Sequence, residues 1–354
     1  MTDDRRLLRE SISAVLRHHC GPEVVKAAEG DWAREVWQRL VEMGTTLVGV
    51  PEALGGSGGD LVDAAVIVKT AARFAAPVPL AETLLIGGPL HVAFGIQTEP
   101  GPVTLAYSSG IDRPMLRRSG LGWVLDGEVR RVAWARRCAR VFVVAKSEGG
   151  RPMLVVVRPG QFELSYGQNI AGEPRDDLQF SEAELEGHDV FEMSDANARA
   201  TRRHASLSRL VQSAGALERT LELTSEYATH REQFGRSIGS FQAIKQLLAR
   251  LAEEVAAGVS ASEGALAGVA SDRAEFIIAA ARVRSARSAT IATEIAHQIH
   301  GAMGFTREHE LGHFTRRLWA WRDEYGTEGE WQQILGRMVL ECGSDAVWPL
   351  IVGV

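Results

Sequence analysis

The chain has 354 residues, of which 45% are hydrophobic, and a formal net charge of −6, so it can bury a large core divided over two or three domains. The negative charge excludes the basic field that nucleic-acid binding needs, and three widely spaced cysteines exclude a disulfide framework or a zinc site. The sequence has no apolar signal core and no apolar run of membrane-spanning length, so we expect a cytoplasmic protein that binds no membrane.

The first part of the chain shows the apolar spacing of amphipathic helices. Apolar residues three and four apart form one helical face in two groups, which are Leu7, Leu8, Ile12, Val15 and Leu16, then Trp32, Val36, Trp37, Leu40 and Val41. A glycine-rich run at 54–59 follows no βαβ pattern and lacks a P-loop lysine, so we expect no dinucleotide-binding fingerprint there. We predict an N-terminal helical domain over residues 1–98.

Residues 99–192 change to the pattern of short strands. Four β-type runs lie between glycine, proline and charged turns, at 103–107, 123–127, 140–145 and 152–157. We predict a small middle β-domain here, which makes the chain α+β.

Residues 193–354 return to helix. We predict a cap at Ser194, an amphipathic helix through Leu207, Leu210, Val211, Ala214, Leu217 and Leu221, and a second helix from Phe241 onward. Gly235 and Gly239 fit a turn between two antiparallel helices, with Ser240 as the N-cap of the second. A third, alanine-rich pattern at 272–299 is typical of close helix packing in a bundle or at a subunit interface.

Two motifs in this domain carry a family resemblance. The first consists of residues at fixed spacing around the helix corner, namely Arg231, Phe234, Gly235, Ile238, Phe241 and Gln242. The second, at 298–305, resembles a Gln-x-x-Gly-Gly-x-Gly-Phe signature with Ala302 at the second glycine. Both resemble the acyl-CoA dehydrogenase family, as does the Val-Pro-Glu run at 50–52. The resemblance covers nearly the whole chain and implies a middle β-barrel domain and a C-terminal four-helix bundle.

In that family the two motifs contact an FAD that is held mainly by the neighbouring subunit. The resemblance therefore implies FAD as cofactor, acyl-CoA as substrate, and these cofactor-binding positions: Arg231, Phe234, Gln242, Gln298, Gly301, Ala302 and Thr327. A guanidinium and a helix N-terminus both suit the phosphates of the cofactor. The alternative without function is a helix hairpin with a solvated arginine and a helix C-cap at Gly301.

The catalytic base of most family members is a glutamate in a Glu-Gly-Thr loop. Counted from the second motif, that position holds Tyr325, and a phenol is a poor general base near neutral pH. A shifted loop could present Glu324 or Glu328 instead. Some members carry the base on the preceding helix, but the matching position here is Ser208. Arg209 matches a family arginine that lies near the CoA moiety, with a solvated helix surface as the alternative.

The middle β-domain also departs from the family pattern. Residues 104–112 replace the Thr-Glu-Pro-x-x-Gly-Ser-Asp loop, and Arg131-Val132-Ala133 replace a Trp-Ile-Thr segment that holds the flavin. The loss of such a hydroxyl donor costs about 1 kcal/mol of cofactor positioning. Contacts to the chain's own flavin are thus lost, whereas contacts to a neighbour's flavin remain.

This asymmetry predicts the flavin-poor subunit of an α2β2 acyl-CoA dehydrogenase, similar to the short subunits of actinobacterial steroid degradation. Its partner would then be a paralogous subunit. One alternative is a self-sufficient homotetramer that uses Glu324 or Glu328 as base, and another is a non-catalytic scaffold. His297 and His300 lie three apart on a helix, but no third ligand stands near them in sequence, so we expect no metal site.

Overall fold

The structure, a computed structural model, describes residues 2–108, 113–120, 122–306 and 308–352. It comprises two compact units. The first consists of Met1–Val68 and Ala76–Ser208, and the second of Lys69–Ala75 and Arg209–Val354. The predicted boundaries at 98/99 and 192/193 lie in connecting segments, but the division into three domains stays a prediction.

The N-terminal helices follow the predicted apolar pattern. They are α1 (Asp3–His19), α2 (Pro22–Ala27), α3 (Arg34–Glu42), α4 (Leu61–Arg73) and α5 (Gly88–Phe94), with a π-helical segment at Glu82–Gly87. The hydroxyl of Thr2 caps α1 by accepting from the Arg5 amide at 3.5 Å. Ile12, Leu16 and Leu40 are fully buried and provide the core on which these helices pack. The prediction was wrong for Leu7 and Val41, which are 56% and 47% exposed because they lie at the edge of the apolar faces.

The middle of the chain forms an eight-stranded sheet. Its strands are β1 (Val103–Ala106), β2 (Met115–Ser119), β3 (Gly122–Ala133), β4 (Arg140–Ser147), β5 (Pro152–Val157), β6 (Glu163–Ser165), β7 (Arg175–Leu185) and β8 (Val190–Glu192). The order is β6-β7-β3-β2-β4-β5-β8, and β1 pairs in parallel with β4. The β-domain is confirmed, although no pairing among the described strands joins β6 to β8, so the sheet is open rather than a closed barrel.

The C-terminal part is helical, as predicted. Its helices are α6 (Asp195–His230), α7 (Gln242–Gly268), α8 (Ala274–His300), α9 (Leu311–Arg322), α10 (Glu328–Cys342) and α11 (Val347–Val352). The hydroxyl of Ser194 accepts from the Asn197 amide at 3.1 Å, as expected of an N-cap. None of the helices in the described ranges is long and apolar enough to cross a membrane.

The connection between α6 and α7 is a small hairpin that the sequence did not predict. Two short antiparallel strands, β9 (Glu232–Gln233) and β10 (Arg236–Ser237), flank Phe234 and Gly235. Both turn residues have positive φ, 54° and 76°, which is typical of a tight hairpin turn. The prediction of Ser240 as N-cap was wrong, because its hydroxyl donates to the Ser237 carbonyl and the N-cap position is Phe241.

Candidate functional site

The loop between α9 and α10 is held by one arginine of α8. Nη2 of Arg282 donates to the backbone carbonyl oxygens of Arg322 (3.0 Å), Glu324 (2.7 Å) and Gly326 (2.9 Å). Burial, and then the neighbouring charge of Arg209, lowers the pKa of Arg282 to about 10. The guanidinium is therefore still charged near neutral pH, and the carbonyl dipoles of the loop compensate that charge.

Arg209 forms a buried cluster with the same loop. Its side chain is fully buried, and its Nε donates to Oε2 of Glu324 at 2.7 Å. Its Nη1 donates to the side-chain oxygen of Gln212 at 2.7 Å. The Tyr325 ring lies 5.0 Å from the Arg209 guanidinium carbon, within cation–π range. Arg209 is thus no solvated surface residue, contrary to that alternative.

The cluster bears directly on the predicted catalytic base. The Glu324 side chain is only 12% exposed, and its Oε2 accepts from Arg209, so one of the two oxygens that could act as a general base is already engaged in an ion pair. Tyr325 has φ 58°, a left-handed conformation in which non-glycine residues are strained. The Ser208 hydroxyl, at the alternative position, is buried and donates to the Ala205 carbonyl at 2.7 Å.

The other carboxylates after this loop also have partners. Glu328 accepts from Nε of Arg287 at 3.1 Å and from Gln332 at 2.7 Å. Thr327 caps α10, and Glu330 completes a capping box by accepting from the Thr327 amide at 2.7 Å. Both glutamates therefore support the start of α10, a role that the sequence pattern Thr-x-x-Glu could have indicated.

The hairpin between α6 and α7 presents the first motif to solvent. Phe234 is 94% exposed, and the side chains of Arg231 and Gln242 are exposed as well. Gln242 is the first residue of α7, and no side chain caps this helix start. Its first backbone N–H groups are thus open to an anionic ligand.

The second motif lies at the same end of the helical unit. The rings of Tyr227 on α6 and His300 on α8 stack at 4.4 Å, which brings the ends of the two helices together. Gln298, Gly301 and Ala302 are exposed. Gly301 has φ 59° and its amide donates to the His297 carbonyl, so it is also a helix C-cap.

The two histidines near this turn, His297 and His300, pack against neighbouring side chains. The His297 ring stacks on Phe305 (4.3 Å) and on Trp319 (5.6 Å). Burial lowers the pKa of His297, and it lowers that of His300 to about 4. In the described ranges, no group of three or more His, Cys, Asp or Glu side chains could hold a metal ion. The sequence-based expectation of no metal at these histidines stays a prediction.

The β-domain positions that hold a flavin in related chains offer little to it here. Thr104 lies in buried strand β1, and its hydroxyl has no partner in the described part of the chain. Val132 and Ala133 are buried apolar residues at the end of β3, so this segment has no hydroxyl to offer. Residues 109–112 of the predicted loop lie outside the described residues. Among the described residues of the predicted cofactor positions, the exposed polar side chains are therefore those of the helical unit.

Sequence reasoning missed Arg282, although a signal for it exists. Its neighbours at helical spacing on α8, Ile278, Ala286 and Ala289, are all buried. A charged residue in the buried stripe of a helix needs partners that satisfy it. The position of Arg282 on the buried face of α8 could therefore have identified it as a residue that binds a neighbouring segment.

Comparisons with known proteins identify the family in both the N-terminal and the C-terminal part of the chain. The family model described as "Acyl-CoA dehydrogenase, N-terminal domain" matches residues 2–97, and "Acyl-CoA dehydrogenase, C-terminal domain" matches residues 198–338. Acyl-CoA dehydrogenase IpdE2 of Mycolicibacterium smegmatis is 29% identical over 324 residues, which is 90% of this chain and 93% of that protein. Acyl-CoA dehydrogenase FadE27 of Mycobacterium tuberculosis is 28% identical over 365 residues, which is 91% of this chain and 93% of that protein.

Solved structures share the fold over nearly the full length. The ChsE4-ChsE5 complex from Mycobacterium tuberculosis contains a chain with a TM-score of 0.90 at 23% identity, covering 97% of this chain and 99% of that one. A variant of the Tcur3481-Tcur3483 steroid ACAD gives a TM-score of 0.85 at 20% identity, with 96% and 98% covered. At these identities the likeness concerns the fold.

Proposed function

Because this chain belongs to the acyl-CoA dehydrogenase family, whose members are oxidoreductases acting on acyl-CoA, we propose that it is the flavin-poor subunit of a heteromeric acyl-CoA dehydrogenase. In this proposal a paralogous subunit supplies the catalytic carboxylate and most of the FAD site. This chain supplies donors that reach the partner's cofactor. FAD, when bound, accepts the hydride in α,β-dehydrogenation of the thioester.

The observation that carries the proposal is the state of the loop at 323–327. The base position holds Tyr325, and the adjacent Glu324 is engaged by the fully buried Arg209 at 2.7 Å. Glu328, the remaining candidate base, accepts from Arg287 and Gln332. A general base needs a free lone pair within reach of the substrate proton. We infer that this chain does not remove the α-proton itself.

The exposed end of the helical unit fits the second half of the proposal. Arg231 can bind phosphate oxygens through its planar fork, and the uncapped start of α7 at Gln242 adds open N–H groups. Gln298 adds a carboxamide and Gly301 an open backbone surface, with no atom within 4 Å of the place where a Cβ would stand. These groups suit the diphosphate and ribose of an FAD that another subunit holds.

The substrate class is proposed by similarity alone. One solved neighbour is named a steroid ACAD and another is a two-component complex, ChsE4-ChsE5. We propose a CoA ester with a bulky ring-bearing acyl group, and a cytoplasmic α2β2 assembly. The self-sufficient homotetramer and the scaffold remain the rival assemblies to be tested.

The test is coexpression with a paralogous acyl-CoA dehydrogenase subunit from the same organism. We expect an α2β2 particle that binds two FAD, and bleaching of the flavin by acyl-CoA only in the complex. Four tightly bound FAD per tetramer, or bleaching in this chain purified alone, would support the homotetramer. Arg231→Ala should lower FAD occupancy of the complex, whereas unchanged occupancy would favour the scaffold. Arg236→Ala, a change of an exposed arginine on the same hairpin, serves as the matched control.

A further inference from the structure

The backbone carbonyls of the 322–326 segment converge on one point. The oxygens of Arg322, Glu324 and Gly326 all lie within 3.0 Å of a single nitrogen, Nη2 of Arg282. One such nitrogen carries two hydrogens, so at least one hydrogen is shared between two carbonyls. Alternate carbonyls that point to a common centre form a cage for a cation. Here the cation is the end of an arginine side chain.

Moving the Arg282 guanidinium away from these three carbonyls would cost free energy. It is 4% exposed, and its Nε has no hydrogen-bond partner in the described part of the chain. A buried guanidinium without compensating oxygens is strongly unfavourable. Conversely, three partly buried carbonyls lose their donor if the guanidinium is absent, and the loss of these hydrogen bonds destabilises the loop. The loop conformation and the side chain therefore depend on each other.

The conformation that the cage imposes decides where two side chains point. Tyr325 lies between two caged carbonyls and has φ 58°, and Gly326 follows with φ 120°. A left-handed tyrosine persists only when its surroundings over-determine it. In this conformation Glu324 reaches Arg209, and the Tyr325 ring lies against the same guanidinium. A shift of the loop by one residue relative to Arg282 would move the side chains of Glu324 and Tyr325 and break the ion pair with Arg209.

We propose that Arg282 is a positioning residue that fixes the register of the loop, so that Glu324 stays in its ion pair and cannot take the place of Tyr325. The role of Arg282 in catalysis rests on the proposed function, in which Glu324 does not replace the missing base. Its physical content, a cation in a three-carbonyl cage, stands independently of flavin and partner.

The experiment compares two arginines of α8 in the full-length chain. Arg282→Ala removes the guanidinium from the three carbonyls. Arg287→Ala, at another position of α8, removes an ion pair with Glu328 of α10. We expect Arg282→Ala to lower the Tm by roughly 5 °C and to raise amide hydrogen exchange in residues 322–328. The matched control Arg287→Ala should change the Tm by about 1 °C or less.

Chemical rescue separates a cation site from ordinary packing. Ethylguanidinium at about 10 mM, far below denaturing concentration, should restore the loop protection and part of the Tm of Arg282→Ala, by mass action on the folded state. It should leave the wild type and Arg287→Ala unchanged. No rescue, or extra exchange spread over α8 and α10, would overturn the proposal.

A second variant covers the case in which Arg282→Ala does not fold. Arg282→Lys keeps a charge and three N–H groups, so loop protection should lie between that of the wild type and that of the alanine variant. Loop exchange equal to the wild type in Arg282→Met, which has no donor, would contradict the cage. None of these readouts needs FAD or acyl-CoA, so their failure is distinct from a wrong subunit assignment.

Discussion

At the scale of single residues, the chain's chemistry depends on which charges are compensated. Arg209 and Glu324 form a buried pair, and Arg282 binds three carbonyls. Glu324 lies one residue before the predicted base position, and it pairs with Arg209. The same carboxylate that could look like a base in the sequence is a partner for a buried guanidinium in the fold.

The buried pair yields a prediction for stability. Arg209→Met should lower the free energy of unfolding by about 3 kcal/mol, because it leaves the Glu324 carboxylate buried without its partner. The double variant Arg209→Met with Glu324→Leu should regain most of that loss, since no charge remains unpaired. Denaturant unfolding measures both. A control is Arg130→Met, which removes an exposed pair with Glu128 and should leave the free energy of unfolding unchanged within experimental error, because solvent screens such a pair. Equal stability of the single and double variants would contradict the argument.

His300 gives a prediction for pH dependence. Its pKa is lowered to about 4, mainly by burial, whereas an unfolded imidazole titrates near 6.5. Between these values the unfolded chain binds a proton that the folded chain does not, so stability falls as the pH drops from 6.5 toward 4. From pH 7 to pH 5 this group should account for a loss of about 2 kcal/mol.

The measurement is the pH dependence of unfolding in His300→Phe, which keeps a ring for the stack with Tyr227. The slope of stability against pH should be shallower in this variant. His188→Phe, a change of an exposed histidine, should keep the wild-type slope. Parallel curves for His300→Phe and the wild type would show that His300 is not buried in its neutral form.

At the scale of secondary-structure elements, close helix packing depends on small residues. Gly258 of α7 faces α6 and α8, where an added Cβ would lie 2.8 Å from Cδ1 of Leu217 and 3.0 Å from Cβ of Ser288. Gly264 lies on the same helix, and nothing stands within 4 Å of its Cβ position. The alanine-rich pattern predicted such packing without showing which positions require a glycine.

These two glycines form a matched pair for a test. Gly258→Ala should destabilise the chain by about 1–3 kcal/mol, because α6 and α8 must shift to accept the methyl group. Gly264→Ala should stabilise it by about 0.5–1 kcal/mol through helix propensity. Thermal and denaturant unfolding decide between them. A stabilising Gly258→Ala would mean that the three helices can separate at little cost.

The hairpin at Phe234 yields a test of function against stability. Phe234 has φ 54° and is 94% exposed, so it is strained and buries almost nothing in the isolated chain. Phe234→Asn should stabilise the chain by roughly 0.5–1 kcal/mol, because asparagine suits this turn position. In the complex the same change should weaken FAD retention if the ring contacts the partner's cofactor. Unchanged FAD retention would assign the exposed ring no part in binding.

At the scale of the whole molecule, the positions proposed for flavin contacts differ between the two compact units. The sheet of the first unit carries a buried Thr104 and the apolar Val132-Ala133 pair, and the helical unit carries exposed donors. Under the proposed function, this chain would gain its cofactor contacts only through assembly. Binding energy for FAD should therefore appear in the complex rather than in the single chain.

Thermal stability measures this directly. FAD at about 100 μM should raise the Tm of the isolated chain by less than about 1 °C, because a ligand stabilises only a state that binds it. In the complex, removal of FAD should lower the Tm by several degrees, and FMN, which lacks the adenosine half, should not restore it. A large shift by FAD in the isolated chain would contradict the flavin-poor assignment.

The sequence by itself determined the order of helical, β and helical segments, because apolar period and turn residues are local properties. It missed β7, whose run Arg175–Leu185 is rich in charged residues and is a strand through its pairing with β3. The two motifs at 231–242 and 298–305 were readable from spacing. Only the tertiary structure decided the fate of Glu324, since its partner Arg209 is 115 residues away in sequence and the cage on Arg282 forms only when α8 packs beside the loop. Local sequence pattern predicts the secondary structure and the candidate residues. Long-range packing determines which charged side chains have a partner and are therefore not free to act as a base.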